Sequence, residues 1–212
     1  MNLLPGQKPP PGDWLAWLLL GGRGAGKLYA GVAWLCEKAW TGRRLALVVP
    51  DDFCVRIVER VVELSGQIGP GQAVEANRPY GIRWPNGAFA HVVPAYDIDR
   101  LRGTELDGAL VVNLHLFGEP DRVVQTLRFA LRGLDSRMMA TAAPGADLAR
   151  LFGDRCVVTR LGMFENPNLP PDFAGRLGPQ QEKPPMWLWD FAAIGVGAVA
   201  GYLAMLWWKR RR

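Results

Sequence analysis

The sequence predicts an α/β domain, a mostly parallel sheet with helices on both faces. Three observations predict it. Apolar runs at residues 15–20, 45–49, 109–112, 138–141 and 156–159 have the length and continuity of buried strands. Segments with helical spacing alternate with these runs, as the winding of a parallel sheet requires. Between the first run and the first helical segment lies Gly21-Gly22-Arg23-Gly24-Ala25-Gly26-Lys27, which fits G-x-x-x-x-G-K. Glycines let backbone N–H groups curl around an anion, and the lysine reaches the outer phosphates.

Taken in order, residues 15–20 form the strand that feeds this loop. Residues 29–40 follow as a helix with Val32, Leu35, Cys36 and Ala39 at helical spacing, stopped by Gly42. Strand, glycine-rich turn and helix is the order an anion site needs, because the helix N-terminus adds partial positive charge beneath the phosphates. The class is therefore P-loop NTPase-like. Residues 45–49 are a second buried strand closed by Pro50, and Asp52 is placed to cap an amphipathic helix over 53–64. Residues 66–71 read as a loop. Pro85-Asn86-Gly87 between 80–84 and 88–93 is a strong hairpin signal. A third buried strand covers 109–112, a helix 121–131, a fourth strand 138–141, a short helix 146–152 and a fifth strand 156–159. Prolines and glycines then accumulate through 166–185, which reads as a linker.

With 212 residues, 49% of them apolar, the chain holds one ordinary domain and something small. The net charge is +5, but Lys209 to Arg212 carry most of it, so the body is nearly neutral and offers weak grounds for nucleic-acid binding. The three cysteines, Cys36, Cys54 and Cys156, lack metal-ligand spacing, and free thiols in a reducing compartment are expected. No secretory leader is expected from the N-terminal residues.

Residues 191–208 carry no charge, and Trp187, Trp189, Trp207 and Trp208 flank them. About 20 apolar residues span a bilayer core, with tryptophans at its interfaces, so a single transmembrane helix is expected at 186–208. Gly197 and Gly201 form a G-x-x-x-G stripe along which two copies can approach as a homodimer. Positive-inside counting favours a cytoplasmic tail, but that would force the folded domain across the membrane. A tail-anchored protein with its domain in the cytoplasm is the expectation.

Several segments, in order, resemble the ATPase half of the large terminase subunit of tailed bacteriophages and gene transfer agents. They are Gly12-Asp13-Trp14 with Trp17, the glycine loop, Gly31-Val32-Ala33-Trp34, and Arg44 to Val48. Trp84 to Ala88, Leu101-Arg102-Gly103 with Asp107, and Leu127 to Arg132 follow. Met138 to Pro144 and Glu165-Asn166 with Asn168-Leu169 close the series. The resemblance implies a terminase-like P-loop ATPase domain over 1–177, then a linker at 178–185, the membrane helix at 186–208 and a basic tail at 209–212. It implies a motor that binds ATP while driving DNA into a capsid. The family's nuclease half is not expected in this chain.

Carried over residue by residue, the resemblance makes Gly21, Gly22, Arg23, Gly24, Ala25, Gly26 and Lys27 the phosphate loop and Gln7 the reader of adenine. It also exposes departures. Leu28 stands where a Ser or Thr holds magnesium. Val112 and Asn113 stand where an Asp-Glu pair holds the metal and activates water. The Thr-Thr-Thr-Pro linked to coupling is Thr141-Ala142-Ala143-Pro144. Glu119 and Asp121, a loop later, are weak candidates for the missing acids, and a lone His115 after a strand reads as structural. Phosphoryl transfer needs charge neutralisation and an oriented water, and single groups in such sites carry about 10³–10⁵-fold of rate. ATP is the expected nucleotide, with neither magnesium nor any other metal site and no hydrolysis.

Three readings stay open. One is a membrane-tethered relative that acts by binding nucleotide, or a portal, a small terminase or an intact large terminase subunit. Another is an active packaging NTPase with atypical acids. The third is a decayed prophage fragment. DNA binding is left undecided.

Overall fold

The computed structural model describes residues 3–50, 54–77, 80–133, 135–145 and 147–162. They form β1 (Ala16–Gly21), α1 (Lys27–Thr41), β2 (Arg44–Val49), α2 (Cys54–Ile68), β3 (Val74–Asn77) and β4 (Tyr80–Arg83). β5 (Phe89–Pro94), β6 (Gly108–Val111), α3 (Pro120–Ala130), β7 (Arg137–Ala142) and β8 (Cys156–Leu161) complete the order. Short 3-10 helices lie at Pro5–Gln7, Ala95–Leu101, Leu114–Leu116 and Ala149–Phe152.

The strands make one eight-stranded sheet in the order β3-β4-β5-β2-β6-β7-β1-β8. From β5 to β8 every neighbouring pair is parallel. Only the β3-β4 and β4-β5 pairs at one end are antiparallel. The expected mostly parallel sheet is thus present, and β1 lies inside it between β7 and β8. β1 is buried at all six positions, which explains why its sequence shows no alternation.

Side chains alternate between two apolar layers. Trp17, Leu19, Leu45, Leu47, Leu110 and Met139 point into the layer shared with α1 and α2. Leu18, Ala46, Val48, Ala109, Val111 and Ala140 point into the layer shared with α3 and the 3-10 helices at Ala95–Leu101, Leu114–Leu116 and Ala149–Phe152. Helices therefore cover both faces. The two layers fix register, because a slip of one residue would exchange the faces. Gly31 lets α1 lie close on the sheet: a Cβ there would stand 2.9 Å from Leu110 Cδ1.

Several expectations need correction. α2 runs on to Ile68, through what reads as a loop at 66–71. Ser65 explains part of this, since its hydroxyl donates to Val62 O (2.7 Å) and accepts from the Ala73 N–H (2.8 Å). Trp40 Nε1 also donates to Ile68 O at 2.9 Å, tying the helix end to α1. β3 is an additional edge strand of four residues, too short and polar to show a pattern. The helix expected at 146–152 is a 3-10 turn at Ala149–Phe152. The hairpin is as expected: Gly87 takes φ 87°, and Asn86 Oδ1 accepts from the Ala88 N–H at 3.1 Å. Cys36 and Cys156 are free thiols; burial, then the negative charge of Glu37, pushes Cys36 up to about 12.

The expected membrane placement is also corrected. Among the described residues no helix is long and apolar enough to cross a membrane. The segments at 178–185, 186–208 and 209–212, the Gly197–Gly201 stripe and the Asp52 cap lie outside the described residues.

Candidate phosphate-binding site

The carboxyl ends of β1, β7 and β6 are adjacent and parallel, with Leu20 opposite Ala142 and Val111 opposite Ala140. The segments that leave these strands therefore meet at one edge of the sheet, where open α/β sheets bind ligands. They are the glycine loop after β1, residues 112–117 after β6 and residues 143–145 after β7.

Residues 22–26 carry the chain from β1 into α1. Gly24 and Gly26 both take φ 81°, a left-handed backbone that favours glycine, and Gly26 caps α1. Gly21 is held by packing, since a Cβ there would lie 3.0 Å from Ala25 Cβ and 3.1 Å from Leu161 O. Gly22 differs: its φ is not positive, and nothing stands within 4 Å of where its Cβ would be. Neither backbone strain nor packing asks for glycine there, and the backbone at Gly22 is left open to close approach. Ala25 is buried beneath the loop and Arg23 is exposed above it.

Lys27 begins α1 and folds back across the loop. Its Nζ donates to Gly21 O (2.7 Å) and Gly22 O (2.8 Å), and burial lowers the ammonium's pKa from the usual lysine value. Leu28, next in the helix, is 36% exposed, an unusual position for a large aliphatic side chain. It offers no oxygen to a cation.

Val112 extends the line of β6: its N–H donates to Val48 O at 2.9 Å, and its side chain is buried in the layer under α1. Asn113 has φ 54° and ψ 48°, the only non-glycine positive φ among the described residues. Its N–H donates to the Oγ1 of Thr141, a hydroxyl of β7 that is almost fully buried. His115 follows on the 3-10 turn, and its Nδ1 accepts from the Ala143 N–H at 3.2 Å. Nδ1 as acceptor places the ring proton of the neutral imidazole on Nε2. Partial burial, then the positive charge of Lys27, lowers the pKa of His115.

Glu119 stands at the N-cap position of α3 beyond this turn without a side-chain capping bond, exposed and paired with Arg122 at 3.0 Å. Asp121 is exposed in the first turn of α3. Gln7 is buried in the Pro5–Gln7 turn, where its Oε1 accepts from the Leu4 N–H at 3.0 Å. That turn adjoins the loop through Leu161, since a Cβ on Gly6 would lie 2.8 Å from Leu161 Cδ2. Sequence reasoning took His115 as structural, in keeping with its bond to the Ala143 backbone, but showed neither that partner nor the Thr141 tie. Neither has a local signal, because their partners lie 28 residues away.

No family model and no curated protein matches this sequence. Solved structures do. The large terminase of a thermophilic bacteriophage in complex with ATP-gamma-S superposes with a TM-score of 0.62 at 13% identity. The same protein in complex with ADP gives 0.59 at 14% identity. Each likeness covers 78% of this chain and 44% of the terminase chain, so this chain spans less than half the length of those terminases. Over the part covered, the fold is that of these terminase structures.

Proposed function

We propose that this chain is a nucleotide-binding relative of the terminase motor domain that does not hydrolyse what it binds. The observation that carries the reading is one lysine among altered neighbours. Lys27 sits on a glycine loop suited to phosphate, while Leu28, Val112 and Asn113 occupy the places of one hydroxyl and two carboxylates. The loop residues fit a nucleotide's phosphates: Gly22 leaves room for close approach, and the N-terminus of α1 favours negative charge. ADP and ATP-gamma-S in the structures of the phage terminase are consistent with that ligand class.

The same residues do not fit magnesium. Leu28 and Val112 are aliphatic, and Asn113 carries an amide. Without a bound cation or a carboxylate to orient water, the electrostatic part of phosphoryl transfer is lost. What remains for the chain's own residues is binding and positioning. The glycine loop and Lys27 hold phosphate, with the segments after β6 and β7 at the same edge of the sheet.

Such a domain acts by occupying a partner in a nucleotide-dependent way, and the partners in keeping with the fold are a portal, a small terminase or an intact large terminase subunit. Steady-state ATP turnover by the purified full chain tests the reading. It predicts a rate indistinguishable from buffer with magnesium present. Magnesium-dependent turnover that Lys27→Ala abolishes would instead identify an active NTPase.

A further inference from the structure

We infer that His115 binds the outer phosphate of a nucleoside triphosphate through its Nε2–H; this rests on the nucleotide-binding reading above.

The placement comes from three elements. His115 stands on the turn that leaves β6, two residues beyond the left-handed Asn113, which turns the chain at the sheet edge. Its Nδ1 is taken by the Ala143 N–H, so the ring is fixed to the end of β7 and its remaining polar atom is the Nε2–H at the far side. His115 is an exposed residue, and among the described residues no group accepts from Nε2, which leaves that N–H open to a ligand. β7 lies between β6 and β1 in the sheet, so the ring held by Ala143 stands at the same edge as the loop after β1, where Lys27 Nζ is bonded to Gly21 O and Gly22 O; Lys27 is the residue that reaches the outer phosphates in loops of this kind.

A triphosphate at the loop brings dense negative charge to this edge. With Leu28, Val112 and Asn113 unable to recruit a cation, the donors left for the outermost phosphate include Lys27 and the His115 Nε2–H. One ring then bridges two partners, phosphate on Nε2 and the Ala143 backbone on Nδ1. A diphosphate, one phosphoryl group shorter, makes the loop contacts without this one. His115 thus separates triphosphate from diphosphate without a metal.

The test measures equilibrium binding of ATP-gamma-S and ADP to the full chain in the presence of a chelator, for wild type, His115→Asn and His115→Gln. Asparagine keeps an acceptor near the Nδ1 position for Ala143 but loses the outward donor; glutamine places an amide N–H near Nε2. The expected result is that His115→Asn weakens ATP-gamma-S about tenfold or more, as loss of a hydrogen bond to a charged group does. ADP affinity should be unchanged, and His115→Gln should restore much of the difference. If His115→Asn weakens both nucleotides equally, or neither, the role assigned to His115 is wrong while nucleotide binding stands. If wild type binds neither nucleotide, both readings fall. Thermal unfolding of each variant checks that the fold is retained.

Discussion

The backbone N–H of Asn113 donates to the hydroxyl of Thr141 at 2.9 Å, and this bond ties the end of β6 to β7. Thr141 is 1% exposed, so water cannot replace it. Thr141→Val keeps the shape and removes the acceptor. It should cost about 1–3 kcal/mol, the range for a buried donor left unpaired. Thr141→Ser keeps the acceptor and should cost less. Denaturant unfolding of the two variants checks the order.

Asn113 itself sits at φ 54°, which asparagine tolerates better than residues with bulkier or branched side chains. Asn113→Gly should leave stability level or raise it slightly, and Asn113→Val should lower it by about 1–2 kcal/mol. Equal midpoints for the two variants would mean that the left-handed backbone is not retained in solution.

Gly31 presents two opposed effects. Alanine is the better helix former by about 1 kcal/mol. Its methyl, however, would stand 2.9 Å from Leu110 Cδ1, in a leucine wholly enclosed between α1 and the sheet. Overpacking of this kind costs about 1–3 kcal/mol and should prevail. Gly31→Ala is expected to lower the melting temperature, and Leu110→Ala to lower it further, by leaving a cavity. A pairing of Gly31→Ala with Leu110→Val should recover part of the first loss, which a double-mutant cycle measures.

Stability should also fall with mild acid. Burial, then Arg100, lowers the pKa of His91; partial burial, then Lys27, lowers that of His115. Both imidazoles therefore take up protons more readily in the unfolded chain. The stability they contribute is complete above the ordinary value of 6.5 and is lost as pH falls through it toward their lower folded-state values. The melting temperature is expected to drop between about pH 7.5 and 5.5, and the double variant His91→Gln with His115→Gln should flatten that slope.

The parts of this molecule that could be read from the sequence are those dictated by neighbours along the chain. The buried runs at β1, β2, β6, β7 and β8 declare themselves because a strand covered on both faces must be apolar throughout. The glycine loop is equally local, since Gly24 and Gly26 supply its backbone and Lys27 its cation. The opposite holds where distant residues decide. α2 continues through Gly66 because Ser65 and Trp40 secure its last turn, and β3 exists because β4 pairs with it. The partner of His115 is of the same kind: only the sheet order, which sets β6 beside β7, places Ala143 within reach of its ring. The departures at Leu28, Val112 and Asn113 were visible as letters; the burial of Val112 and the turned backbone of Asn113 were not.

Titration of the full chain with ATP-gamma-S, once with magnesium and once with a chelator, is the most direct measurement of whether a phosphate site survives here without its metal. Binding should occur in both, with affinities agreeing to within about twofold, and Lys27→Ala should weaken both alike, by about tenfold or more for loss of a charged hydrogen bond. Binding that appears only with magnesium would contradict the assignment, because a cation would then be held by groups that Leu28, Val112 and Asn113 do not supply.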